Sequence, residues 1–188
     1  VMAKAFKEAG TPFIVGVPGG ESVELMDAAR TEGVRFILTK QETAGAMLAA
    51  TWGELTGAPG VCMSTRGPGA ANMVNGVTYA WMDRCPLIAI TDQYGTATYE
   101  TGLRQRLNQL QLYTPITKWN GTIRASAVRQ QLRRAIRTAS APPPGPVQFD
   151  LPANETLQEA AELPAPAPLL PELPPLCHDR ESLQPALD

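Results

Sequence analysis

The sequence is poor in the residues that many enzymes use for nucleophilic catalysis. It contains one histidine, His178, and three widely spaced cysteines, Cys62, Cys85 and Cys177. Because His178 stands in a proline-rich tail, a Ser-His-Asp or Cys-His arrangement in the folded part is disfavoured. Cys177 and His178 supply at most two ligands, too few for a structural zinc site. The cysteine spacing is not typical of a disulfide framework, so we expect a reducing compartment and a cytoplasmic location.

The sequence also lacks a strong charge bias and long apolar runs. Its formal net charge is −2, without the basic footprint of a nucleic-acid-binding domain. No apolar run reaches the roughly 20 residues that a membrane span needs. The amphipathic start has no signal-peptide core. We therefore expect neither nucleic acid nor a membrane as a partner. The first residue is Val1 rather than Met, and we interpret the chain as part of a longer protein.

The sequence does contain a regular alternation of short apolar runs and helical stripes. The apolar runs are typical of strands buried on both faces. They predict strands at residues 13–17, 34–38, 61–64, 87–91 and 146–150, and the stripes predict helices at residues 2–9, 21–31, 42–55, 70–82 and 126–139. Such alternation indicates βαβ units. We therefore predict a three-layer α/β/α domain with a mostly parallel central sheet over residues 1–155.

The composition changes in the last part of the chain. Most of the 18 prolines lie beyond Ala141. We predict a proline-rich linker at residues 156–178, because its Pro, Ala and Leu cannot form a core. Asp179 then resembles the N-cap of a new helix. Residues 179–188 are therefore predicted to begin a truncated middle domain.

Ligands of parallel sheets bind at the carboxyl ends of the strands. Four loops should meet there: residues 16–20, 40–42, 66–69 and 92–93. Glu42 stands where a strand gives way to a helix of small side chains. A carboxylate shielded from water at such a place suits proton transfer near neutral pH. The same position also suits a glutamate that only stabilises the positive end of the helix dipole.

Six motifs, taken together in their order and spacing, resemble a known family. They are Gly16-Val17-Pro18-Gly19, Gln41-Glu42, Gly57-Ala58-Pro59-Gly60-Val61, the segment from Ser64 to Asn72, the segment from Asp83 to Ile90, and the segment from Gly145 to Pro152. This pattern resembles the N-terminal pyrimidine-binding domain of thiamine-diphosphate-dependent enzymes, in the acetolactate-synthase-like branch. The resemblance covers about residues 1–155.

The resemblance implies roles for individual residues. The family's glutamate, here Glu42, hydrogen-bonds the aminopyrimidine of thiamine diphosphate and helps the cofactor to lose the proton that starts catalysis. Pro18 and Gly19, with Gly67 and Pro68, match the loops that flank the pyrimidine ring. Asn72 ends the family's Gly-Pro-Gly-x-x-Asn pattern, where it either touches the cofactor or holds its loop in shape.

Two further residues match substrate-facing positions less closely. Gln105 lies near the place where this branch carries a glutamine that faces the substrate, and a surface glutamine is the alternative interpretation. Arg66 suits the attraction of an acidic substrate, and a solvated loop arginine is the alternative.

The sequence departs from the family pattern in two ways. Many members have His before the catalytic glutamate, whereas this chain has Gln41. The Gly-Asp-Gly motif that helps to hold Mg²⁺ in the family does not occur here. We therefore assign no metal ligand to this chain and expect Mg²⁺ only in a C-terminal domain outside it.

The resemblance implies an enzyme that acts on 2-keto acids, by carboligation of the acetolactate-synthase type. Non-oxidative decarboxylation is an alternative, and so is a non-catalytic domain that only binds a partner chain. In the family the site lies between subunits, so a homodimer or homotetramer is expected. The small residues of the helix at 43–56 suit either such an interface or packing within the chain. The fragment alone is expected to be inactive.

Overall fold

The computed structural model describes residues 1–160. Within them lies one six-stranded, all-parallel sheet, in the order β2-β1-β3-β4-β6-β5. The strands are β1 (Phe13–Val17), β2 (Arg35–Leu38), β3 (Gly60–Ser64), β4 (Leu87–Gln93), β5 (Trp119–Thr122) and β6 (Pro146–Pro152). β3 and β4 are buried along their whole length, as their continuous apolar sequences predict.

Helices cover both faces of the sheet. They are α1 (Met2–Glu8), α2 (Val23–Thr31), α3 (Glu42–Thr56), α4 (Pro68–Met82), α5 (Gln109–Tyr113), α6 (Val128–Ser140) and α7 (Ala153–Thr156). Alternate strand residues point to opposite faces and form two cores. On one face α1, α2 and α6 cover residues such as Ile14 and Ile88. On the other face α3, α4 and α5 cover residues such as Val15 and Leu87.

The α/β/α fold with a parallel sheet is confirmed, and two details differ from the sequence prediction. The sequence did not reveal β5, a half-buried strand with the sequence Trp-Asn-Gly-Thr that, among residues 1–160, pairs with β6 alone. The sequence predicts a fourth strand that ends at residue 91 and a loop at residues 92–93, but Asp92 and Gln93 are buried and extend β4. The sequence did not predict this extension because both side chains are polar. Hydrogen bonds rather than apolar contacts stabilise their burial.

The small residues of α3 allow it to pack closely within the chain. A Cβ atom on Gly76 of α4 would lie 2.5 Å from the Cβ of Ala46 and 2.8 Å from the carbonyl oxygen of Thr43. The two helices are therefore nearly in backbone contact. Packing within the chain uses one side of α3, while Met47, Leu48 and other residues remain exposed on the opposite side.

Some sequence predictions lie outside the described residues. The linker predicted at 156–178 is described only at residues 156–160, where α7 ends, and the predicted start of another domain at 179–188 is not described. Over residues 1–160, no helix has both the length and the apolar character to cross a bilayer.

Candidate functional site

The loops after β1 and β3 meet at the carboxyl edge of the sheet. A Cβ atom on Gly19 would lie 2.5 Å from the Oγ1 of Thr65, and one on Gly69 would lie 2.7 Å from its Cγ2. Thr65 therefore lies between the loop that contains Pro18 and Gly19 and the first turn of α4, and neither glycine leaves room for a larger residue. Thr65 lay within a recognised motif, but nothing in the sequence singled it out as the contact between the two loops.

Glu42 is the first residue of α3 and lies beside this junction. Its side chain sits at the carboxyl edge of the sheet, and the residue is only 8% exposed. Its Oε2 accepts a hydrogen bond from Nδ2 of Asn72 at 3.3 Å, and a Cβ atom on Gly69 would lie 3.2 Å from its Oε1. The Thr43 hydroxyl donates to the carbonyl of Asn72 and ties the first turns of α3 and α4 together.

Because Gly69 has no side chain, the first turn of α4 can pack closely against Oε1 of Glu42. The carboxylate is sheltered from bulk water at this junction. The start of a helix also favours a negative charge electrostatically, so a functional role for Glu42 and a helix-stabilising role are compatible.

Gly67 shapes the entry into α4. It has a φ of 63°, in the left-handed region, and a Cβ atom there would lie 2.3 Å from the carbonyl oxygen of Gln105. Pro68 follows at the first helical position, where its missing N–H costs nothing. Gln105 itself has a φ of 61°, and it is exposed. The structure therefore brings the backbone of Gln105 against the glycine loop.

Arg66 is half-buried next to Gly67. Its guanidinium lies 4.0 Å from the centroid of the Tyr94 ring, in a cation–π contact. The Tyr94 hydroxyl in turn donates to the carbonyl of Arg104. Arg66 and the segment that leads to Gln105 are thus connected through one aromatic ring at the rim of the site.

A buried polar cluster centred on Asp150 lies behind the glycine loop. Oδ1 of Asp150 accepts hydrogen bonds from Thr91 (2.8 Å), Gln109 (2.8 Å) and Gln148 (2.9 Å), and Oδ2 accepts one from Gln93 (3.4 Å). Burial raises the pKa of the Asp150 carboxyl above its ordinary value, and the four donated hydrogen bonds partly oppose this increase. Four donors converging on one carboxyl group are the pattern expected of an ionised acceptor.

A second buried acid supports the other glycine loop. The Ser22 hydroxyl donates to Oδ2 of Asp92, and Ser22 Oγ accepts a hydrogen bond from the backbone N–H of Gly19 at 3.1 Å. The sequence offered only one signal for Asp92, its place directly after an apolar strand. Asp150 lay within a recognised motif at the end of a predicted strand but was not singled out, and Ser22 and Gln109 gave no signal that separates them from ordinary polar residues.

Two cysteines lie away from this site and behave as core residues. Burial raises the pKa of the Cys62 thiol to about 12, and burial with nearby acids raises that of Cys85 to about 11. Both side chains are therefore thiols at neutral pH, as expected for apolar filling. Within residues 1–160 there is no group of three or more His, Cys, Asp or Glu side chains that could hold a metal ion.

Comparison with known proteins agrees with this geometry. Residues 1–112 match the family described as "Thiamine pyrophosphate enzyme, N-terminal TPP binding domain". The chain is 38% identical over 152 residues to the probable acetolactate synthase large subunit of Methanocaldococcus jannaschii. These aligned residues are 80% of this chain and 26% of that protein. It is 34% identical over 173 residues to the acetolactate synthase large subunit of Lactococcus lactis, covering 91% of this chain and 30% of that protein.

A third relative is the acetolactate synthase isozyme 1 large subunit of Escherichia coli, 33% identical over 150 residues, which cover 79% of this chain and 27% of that protein. The chain thus spans less than a third of the length of these relatives. The family match covers more than half of the chain and includes Glu42 and both glycine loops. The chain belongs to the thiamine pyrophosphate enzymes and carries their N-terminal TPP-binding domain.

Proposed function

We propose that this chain is the pyrimidine-binding part of a thiamine-diphosphate-dependent enzyme that joins 2-keto acids by acetolactate-synthase-like carboligation. The observation that carries the proposal is the placement of Glu42. Its carboxylate is sheltered at the carboxyl edge of a parallel sheet, accepts a hydrogen bond from the neutral side chain of Asn72, and lies beside Gly69 at the start of α4.

These residues fit the aminopyrimidine of thiamine diphosphate. A ring nitrogen needs a partner that can share a proton, and the buried Glu42 carboxylate beside Gly69 provides one. When bound, the cofactor supplies the carbanion chemistry that attacks the 2-keto acid carbonyl. Glu42 would hold a proton on the ring nitrogen, and Asn72 would orient the carboxylate.

We assign the remaining cofactor contacts to the two glycine loops. Pro18 and Gly19 would face one side of the ring, and Gly67 and Pro68 would lie at the mouth of the site. Support comes from the contacts of Thr65 with both loops, which hold them at a fixed separation. We expect Mg²⁺ and the diphosphate group to bind in another part of the enzyme.

We propose Arg66 and Gln105 as substrate-facing residues. A 2-keto acid carries a carboxylate, and Arg66 is the cation next to Gly67, with its guanidinium stacked on Tyr94. Gln105 lies against Gly67 through its backbone. Both residues therefore occupy the rim of the proposed site.

We propose that the site is completed by a second subunit, in a homodimer or homotetramer. The paired helices α3 and α4 carry exposed apolar side chains on the face away from the sheet. Met47, Leu48 and Leu55 lie on α3, and Trp81 and Met82 lie on α4. Because Glu42 begins α3, an interface on this face would bring the second subunit close to the carboxylate.

The complete enzyme that contains this chain tests the proposal. It should be supplied with pyruvate, thiamine diphosphate and Mg²⁺, and its products should be analysed. Acetolactate supports carboligation, whereas acetaldehyde would indicate the alternative of a 2-keto acid decarboxylase. Turnover of neither kind, with cofactor binding absent, would favour a domain that only binds a partner chain.

The chain of residues 1–188 alone should bind thiamine diphosphate weakly or not at all, even with Mg²⁺. The reason is that one acidic side chain and two glycine loops can hold the pyrimidine but provide no clamp for the diphosphate. Isothermal titration calorimetry with the isolated chain measures this directly. Tight, metal-dependent binding would contradict the expectation and would place the diphosphate site within this chain.

A further inference from the structure

The short helix α5 contacts the start of α4, defined here as residues 67–72, at two points. Oε1 of Gln109 accepts a hydrogen bond from the backbone N–H of Gly67 at 2.8 Å. The Tyr113 hydroxyl donates to the carbonyl of Ala70 at 2.6 Å. Gln109 and Tyr113 are four residues apart, so they lie on one face of the helix, and both are fully buried. α5 thus holds the α4 start from outside the helix.

The amide of Gln109 can hold Gly67 in only one orientation. Its Nε2 lies 2.8 Å from Asp150 Oδ1, 3.0 Å from Thr91 Oγ1 and 3.1 Å from the carbonyl oxygen of Asp92. An ionised carboxylate and a carbonyl only accept hydrogen bonds, so the NH₂ group must face them. The oxygen of the amide is then directed at the N–H of Gly67. Asp150 therefore fixes which end of Gln109 meets the loop.

The α4 start is also the part of α4 that contacts Glu42. Gly69 lies close to Oε1, since a Cβ atom there would be 3.2 Å away, and the Asn72 side chain donates to Oε2. A displacement of Gly67 would move both of these residues relative to the carboxylate. Leucine could fill the volume of Gln109, but it would leave the buried N–H of Gly67 without a partner, which is costly.

We propose that Gln109, oriented by Asp150, is a positioning residue that sets the α4 start against Glu42. The effect of Gln109 on catalysis rests on the proposed function, whereas its effect on the position of the α4 start does not. Fully satisfied buried networks rigidify the groups they connect. Gln109 would act through Gly67 and would not touch cofactor or substrate.

Amide hydrogen exchange, followed by NMR in the chain of residues 1–188, tests the positioning without any cofactor. In Gln109→Leu, the amide of Gly67 should exchange roughly tenfold faster or more, because its acceptor is gone. Amides of residues 87–90 in the central strand β4, which Gln109 does not contact through its side chain, should not change. Gln111→Leu is the matched control, since Gln111 is exposed on the same helix. Equal Gly67 exchange in Gln109→Leu and wild type would overturn the proposal.

Tyr113→Phe provides a second variant that keeps the packing of the ring. It removes only the hydrogen bond to Ala70, and we expect faster exchange of the amide of Ala71, which donates to the carbonyl of Gly67 at 2.8 Å. This variant keeps the test decisive if Gln109→Leu does not fold. If the amide of Ala71 exchanged at the wild-type rate in a folded Tyr113→Phe protein, this would contradict the proposal that α5 holds the α4 start in place.

Steady-state kinetics of the complete enzyme tests the catalytic consequence. In Gln109→Leu, kcat should fall roughly tenfold or more while KM for the 2-keto acid stays within about twofold, because a misplaced partner of Glu42 slows the chemistry. Faster Gly67 exchange with unchanged kcat would overturn the positioning role. If the wild-type enzyme showed no thiamine-dependent turnover, the proposed function would be refuted. The hydrogen-exchange result would still show whether Gln109 holds the α4 start in place.

Discussion

Replacing Glu42 by glutamine should reduce turnover of the complete enzyme by roughly 100-fold or more, to the limit of detection. Glutamine has nearly the same shape and can still accept the hydrogen bond from Asn72, but its amide cannot exchange a proton with a ring nitrogen. Removing a group that transfers a proton typically costs a factor of roughly 10² to 10⁴ in rate. Rates should be measured at saturating cofactor and 2-keto acid, so that weaker binding does not imitate the effect.

The fold should tolerate this change. Glu42 interacts favourably with the start of α3, and such an interaction typically contributes about 0.3–1 kcal/mol. Thermal unfolding of the variant should therefore be close to that of the wild type. The matched control is Glu54→Gln, because Glu54 is an exposed glutamate on the same helix and should lose no activity. Full activity in Glu42→Gln would remove this carboxylate from the mechanism.

The sequence was sufficient to predict the layers of the fold. Strands such as β3 and β4 are buried on both faces, and such strands appear in a sequence as continuous apolar runs. β5 could not be predicted in the same way. An edge strand is held mainly by backbone pairing with one neighbour, so its side chains are free to be polar, as Asn120 and Thr122 are.

The position of Glu42 was also predictable, because the carboxyl ends of parallel strands meet at one edge regardless of detail. The hydrogen bonds that hold its surroundings in place were not. Gln109 and Gly67 are separated by 42 residues, and Gln109 and Asp150 by 41. A single sequence contains no signal for contacts at such separations, and a buried glutamine looks like an exposed one. Only the folded chain shows that Asp150, Gln109 and Gly67 form one connected unit.

The contact between α3 and β3 is among the closest in the molecule. A Cβ atom on Gly60 would lie 1.9 Å from the carbonyl oxygen of Ala49 and 2.5 Å from its carbonyl carbon. Both are backbone atoms, so no side-chain rotation can relieve the clash, and the helix would have to move away from the sheet. Glu42 lies on the same helix, so this contact also bears on the position of the carboxylate.

Gly60→Ala should therefore lower the free energy of unfolding by at least about 2 kcal/mol, at the upper end of the usual effect of overpacking. Urea unfolding of the chain of residues 1–188, monitored by circular dichroism, measures this value. Gly20→Ala is the matched control, because no atom of the described part of the chain lies within 4 Å of a Cβ atom at Gly20, and its stability should stay within about 1 kcal/mol of the wild type. If both variants were equally stable, α3 could not be packed against β3 as closely as described, and Glu42 would have no fixed place at the edge of the sheet.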